Sequence, residues 1–160
     1  MILTFLAMIS TADAAIGDPD WKLFDTDPEN NVTLTLSPLH LGVPMIEAMG
    51  ELEVGNDRSV ALIGGLGTEE RRGLYTFGGQ VKQYVAGDFD TGLSLGAEAK
   101  YGNADMQGFK GGTVSAGPFL GAKGTLGVLS LEAQGGGQLV YNQGRTSIAP
   151  LVNLNAGVSF

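Results

Sequence analysis

Read every second residue, the chain from Val32 onward separates into two chemical faces, and it does so eight times over. The closing stretch, Ser147 to Phe160, sets the pattern: Ile148, Pro150, Val152, Leu154, Ala156, Val158 and Phe160 fall on one side, and Ser147, Ala149, Leu151, Asn153, Asn155, Gly157 and Ser159 on the other. Successive side chains of a strand point to opposite faces, so a period of two predicts strand, here with one wholly apolar face.

Seven similar segments precede it. They are expected over about Val32 to Leu41, Met45 to Val54, Ser59 to Gly67, Leu74 to Ala86, Thr91 to Gly102, Thr113 to Lys123 and Val128 to Tyr141. The alternation slips around Pro38 and His40, which predicts a bulge or an early strand end there. Gln83 is the one polar residue on the apolar side of the fourth segment. Compact turns are expected near 55–58, 87–90 and 124–127, and longer loops near 68–73, 103–112 and 142–146, with a short first connection over 42–44. Eight strands with no helix between them make an all-β, antiparallel up-and-down meander the economical topology.

What lies before the strands is different material. Met1 to Ala15 is an apolar run ending in Ala12-Asp13-Ala14, which fits the small-x-small cleavage rule of a secretory signal and is too short for a membrane-spanning helix. Residues 16–31 form an acidic tail, with Asp18, Asp20, Asp25, Asp27 and Glu29 against Lys22 and with Pro19 and Pro28 interrupting any regular element. Trp21 and Phe24 within it are candidates for docking on the barrel base or a lipid interface. The spacing Asp25-x-Asp27-x-Glu29 lacks the glycine and distal glutamate of a calcium loop and reads as a solvated linker. Residues 32–160 then make one β-barrel domain.

Composition narrows the partners. The formal charge of −8 argues against a nucleic-acid partner, and the absence of cysteine rules out a disulfide scaffold or a thiolate metal site. The 26 glycines in 160 residues fall mostly inside the alternating segments, where they leave room for other side chains or allow strong strand coiling.

Which face is inside becomes the functional question. A soluble carrier of the lipocalin kind would bury the apolar face. The opposite assignment places Glu47, Glu51, Glu53, Lys82, Glu98, Lys100, Lys123 and Glu132 in the lumen, where they must pair or stay hydrated. The segment lengths suit a strand that crosses a bilayer at a tilt of about 45°. Tyr75, Tyr101 and Tyr141 sit on the apolar face where strands meet the longer loops, as an interfacial aromatic belt requires. With eight strands the lumen has room for side chains only, so the inward charges are expected to form a plug rather than line a pore. The same-face register sets Gln80 opposite Glu98 and makes Lys82 a diagonal neighbour able to pair with that carboxylate. Five inward Glu against three Lys leave an excess for lumenal water, a neighbouring Arg58 or protonation to absorb.

On these residues the chain resembles the small eight-stranded outer-membrane β-barrel family of Gram-negative bacteria, the class of opacity-type proteins and the membrane domain of outer membrane protein A. The closing Leu154-Asn155-Ala156-Gly157-Val158-Ser159-Phe160, the terminal Phe160, the alternation over 32–160 and the signal-like start carry the likeness. Val158 departs from it, because an aromatic is common there. The resemblance implies an eight-stranded transmembrane β-barrel in the bacterial outer membrane, in contact with outer-membrane lipid and monomeric. It also implies that the barrel assembly machinery recognises the closing strand through Gly157, Val158 and Phe160.

Candidate chemistry is sparse. His40 is the only histidine and Ser37 precedes it by three, but Ser37-Pro38-Leu39-His40 supplies no base and orienting acid around a nucleophile. Gly64-Gly65 and Gly135-Gly136-Gly137 are followed by no helix start or Lys-Ser/Thr and are not phosphate loops. No cofactor, metal or catalytic residue is therefore expected. Three function classes stand: a non-enzymatic outer-membrane barrel with a structural or surface-interaction role through its loops, including an extracellular ligand the sequence does not identify; a soluble lipocalin-like carrier of a small ligand; and an outer-membrane lipid-modifying enzyme centred on His40. Glu69-Glu70-Arg71-Arg72 reads as a solvated loop tip.

Overall fold

The computed structural model describes residues 30–37, 45–55, 57–69, 72–103 and 112–160. Within them the alternating segments form eight strands: β1 (Val32–Leu36), β2 (Met45–Gly55), β3 (Arg58–Glu69), β4 (Arg72–Gly87), β5 (Gly92–Gly102), β6 (Thr113–Leu126), β7 (Leu129–Asn142) and β8 (Arg145–Ser159). Each pairs antiparallel with the next, and β8 returns to β1, so the sheet closes into the expected all-β, up-and-down barrel. Closure removes every sheet edge along those pairings. The signal-like residues 1–15, residues 16–29 of the acidic tail with Trp21 and Phe24, and His40 lie outside the described residues.

The stagger of the ladder fixes the shape. Followed around the barrel, Thr35 leads to Met49, Ile63, Gly78, Lys100, Ser115, Val140 and Ser147, yet Thr35 itself pairs with Gly157, ten residues beyond Ser147. With about 3.3 Å per residue along a strand and about 4.8 Å between eight strands, that shear tilts the strands by about 40° to the barrel axis.

Several connections differ from the sequence expectation. The ladder continues through Thr68–Gly73 and Glu69–Arg72, so only residues 70–71 separate β3 from β4 where a six-residue loop is expected from the polar run. β6 and β7 pair as far as Leu126 and Leu129, which moves that turn to Gly127-Val128. Asn142 pairs with Arg145, leaving Gln143-Gly144 as a two-residue turn in place of a loop over 142–146. Gln143 (φ 44°) and Gly144 (φ 83°) both take the left-handed conformation, the signature of a turn whose twist matches its flanking strands. β1 ends at Leu36, so the first connection spans 37–44 and is longer than expected. The compact turns expected near 55–58 and 87–90 are found, whereas of the long loops expected at the mouth opposite the termini only 103–112 is long, and the first connection, expected to be short, joins it there.

Side chains sort as the period of two dictates. Twenty-seven large apolar side chains among the described residues face outward, among them Leu62 at 78% exposure and Ile148 at 82%. The interior holds Thr, Ser, Asn, Gln, Glu and Lys, together with a smaller apolar set: Met45 with Leu74, and Met49 with Ala61 and Ile63. Phe119 also points inward, opposite Gly96 on β5 and Gly136 on β7. A Cβ on Gly96 would stand 2.3 Å from the Phe119 ring, so the glycine makes the room the ring fills.

Candidate functional site

The period that sends apolar residues outward sends every second residue of β2, β4, β5, β6 and β7 into one confined space. Glu47, Glu51, Lys82, Glu98, Lys100, Lys123 and Glu132 are all buried there, with Gln80. Glu53 is half-buried beside the irregularity that ends the β2–β3 ladder. Among the described residues the buried charges are thus four Glu and three Lys. Charges taken out of water cost several kcal/mol each unless partners surround them, and here partners come both from the same strand and from across the barrel.

Nearer the mouth that carries the termini, Glu51 and Lys82 form the centre of a balanced group. Lys82 Nζ donates to Glu132 Oε1 at 2.6 Å and lies 3.1 Å from Glu51 Oε1. Lys123 Nζ lies 3.2 Å from Glu51 Oε2 and donates to Thr33 Oγ1 at 2.8 Å, and Thr33 in turn bonds Ser159 at 2.9 Å. The hydroxyls of Ser59 and Tyr84 both donate to Glu51 Oε1, the latter at 3.0 Å. Glu51 is 1% exposed, and its carboxylate is surrounded by donors.

Further in lies a layer of amides. Gln80 and Gln134 exchange Nε2–H to Oε1 bonds at 2.9 and 3.1 Å. Gln80 also donates to Glu98 at 2.6 Å and Gln134 to Glu132 at 2.9 Å. Asn153 Nδ2 donates to Glu98 at 3.0 Å and to Gln134 at 2.9 Å, while Asn155 donates to Glu132 at 3.4 Å. Beyond that layer Lys100 Nζ lies 3.0 Å from Glu98 Oε1 and 3.6 Å from Glu47 Oε1. An amide donates and accepts, so this layer links the two charged groups into one network.

Gln80 stands opposite Glu98 as the register requires, and Lys82 shares their face. The ion pair expected between Lys82 and Glu98 is not the one formed: Lys82 reaches across to Glu51 and Glu132, and Lys100 takes Glu98. Arg58 is the cross-strand partner of Gln83. Its guanidinium donates through Nε to Gln83 at 2.8 Å, which explains the polar residue on the otherwise apolar side of β4.

The outward tyrosines gather at one end. Tyr75, near the start of β4, and Tyr101 and Tyr141, near the ends of β5 and β7, all face outward at the mouth away from the termini. Tyr101 lies 6.2 Å from Tyr75 and 5.4 Å from Phe77 between ring centroids. At the other end Phe160 and Val158 face outward and Gly157 inward. Phe160 and Val32 exchange backbone bonds at 2.9 and 3.0 Å, which makes the last residue part of the closing seam. Ser37 is buried, and its hydroxyl donates to the carbonyl of Leu154 at 3.1 Å.

Sequence reasoning missed the roles of Tyr84, Ser59, Thr33, Gln134, Asn153 and Asn155, which complete the network. Their inward parity was readable, but which strand's carboxylate each meets depends on closure. Among the described residues no group of three or more His, Asp or Glu is placed to hold a metal ion. Against protein-family models, curated proteins and solved structures, the chain finds no match.

Proposed function

We propose that this chain is a bacterial outer-membrane β-barrel whose outward face contacts lipid and whose interior is plugged by the Glu–Lys–amide network. Its role is structural or one of surface interaction, non-enzymatic, and carried by the connections 37–44 and 103–112. It works as a monomer, and the assembly machinery reads the closing strand at Gly157, Val158 and Phe160. The observation that carries the reading is the polarity of the two faces: apolar outside, charged inside.

A soluble eight-stranded carrier shares this topology but needs the reverse polarity, with an apolar chamber inside and charge outside. Moving the outward apolar side chains from water to hydrocarbon gains roughly 1 kcal/mol for each half-exposed one, or about 25 kcal/mol for the set. A patch of that extent is foreign to soluble monomers. The outward run from Ile148 to Phe160, at a tilt of about 40°, covers about 30 Å along the axis, enough for the roughly 25 Å apolar band of a membrane barrel. The aromatic cluster of Tyr75, Phe77 and Tyr101 suits one lipid–water boundary.

The test is fractionation followed by gel mobility. The protein should leave the membrane fraction only with detergent and migrate differently when boiled and unboiled. A monomer that stays soluble without detergent would contradict the reading.

A further inference from the structure

At the mouth that carries the termini, an aromatic ring packs onto the outer members of the charged network. Phe89 belongs to the connection 88–91 between β4 and β5, where a large aromatic side chain would ordinarily lie in solvent, yet it is only 3% exposed. Asp88 folds the connection back. Its Oδ1 accepts the backbone N–H of Asp90 at 3.0 Å and of Thr91 at 2.8 Å, and its own N–H donates to Thr91 O at 3.0 Å. The Phe89 ring then meets Tyr84 edge-on at 6.1 Å and lies beneath the ammonium of Lys123, 3.6 Å from the ring centroid.

From the other side of the same mouth comes Asn30. Its backbone N–H and its side-chain amide donate to the two carboxylate oxygens of Asp90, at 3.1 and 2.9 Å. Asn30 precedes β1, which stands across the closed barrel from the β4–β5 connection, so this pair spans the opening. Asn31 fixes its near end, accepting from Glu53 N at 3.0 Å and donating to Phe160 O at 3.3 Å.

We propose that Phe89 is a stopper for this mouth and that the Asn30–Asp90 pair is its latch, so that water and small solutes reach the network from this side only when the latch opens. The proposal rests on the reading of the interior as a barrier and not on the lipid-facing one. Because the chain has no cysteine, single reporters can be introduced cleanly. Ser94, the buried cross-strand partner of Tyr84, reports on this mouth, and the buried Ser115 reports on the opposite half.

The experiment measures how fast a charged methanethiosulfonate reagent modifies Ser94→Cys and Ser115→Cys in the full chain. Adding Phe89→Ala should speed modification of the Ser94→Cys thiol about tenfold or more, because local opening controls access. Asn30→Ala and Asp90→Ala, which keep the ring, should each speed it by a smaller factor, and the Ser115→Cys rate should not move. Rates at Ser94→Cys unmoved by Phe89→Ala and Asp90→Ala would overturn the latch, as would equal acceleration at both reporters, which signals general loosening. Fast modification of Ser94→Cys with Phe89 and Asp90 intact would instead overturn the barrier reading itself.

Discussion

Lys82 shows how much one residue can carry. It sits between Glu51 and Glu132 with its side chain fully enclosed, so removing its charge leaves that group two carboxylates against the single cation Lys123, one charge in excess in a confined interior. Lys82→Met should destabilise the barrel by about 3–5 kcal/mol in urea unfolding, and adding Glu132→Gln should recover at least about 1 kcal/mol by withdrawing the charge in excess. Equal stability of Lys82→Met and the parent would show that the pair contributes nothing. That Lys82, Glu51 and Glu132 point inward is legible from the period of two alone. Their meeting is not, because β4, β2 and β7 are not mutual neighbours and only closure brings their side chains face to face. Adjacent-strand register reveals Gln80 beside Glu98 and favours Lys82 for the same carboxylate. The cross-lumen partners win because they offer Lys82 two carboxylates, while Lys100 already holds Glu98.

At the level of single elements, the strands run further than their apolar stretches. Thr68, Glu69, Arg72 and Gly73 look like a loop because they are polar, yet all four pair in the β3–β4 ladder. Asn142 and Arg145 mislead in the same way at the β7–β8 hairpin. Polarity at a strand end marks where the apolar face stops, and it does not mark where hydrogen bonding stops. Gln143-Gly144 carries a readable hint in its glycine, but glutamine is not a usual residue at the preceding left-handed position, where asparagine is favoured. Gln143→Asn should therefore stabilise the protein by about 0.5–1 kcal/mol, checked by its unfolding midpoint. Gly96→Leu should do the reverse. A side chain there collides with Phe119, and a loss of about 1–3 kcal/mol is expected from overpacking, against no change if the ring moved freely aside.

On the scale of the whole molecule, the eight strands, their antiparallel order and the separation of faces follow from alternation and from the absence of intervening helices. The shear of ten residues and the resulting tilt do not, since no local pattern encodes how far the last strand slips against the first. The central claim is that the outward face meets hydrocarbon. It is tested most directly by placing one tryptophan at Leu62, in a chain whose native Trp21 is changed to Phe, and reconstituting that protein in vesicles. With the Leu62→Trp, Trp21→Phe protein the account predicts strong quenching by lipids brominated on their acyl chains and little by aqueous iodide. Quenching by iodide with no response to the brominated lipids would contradict it.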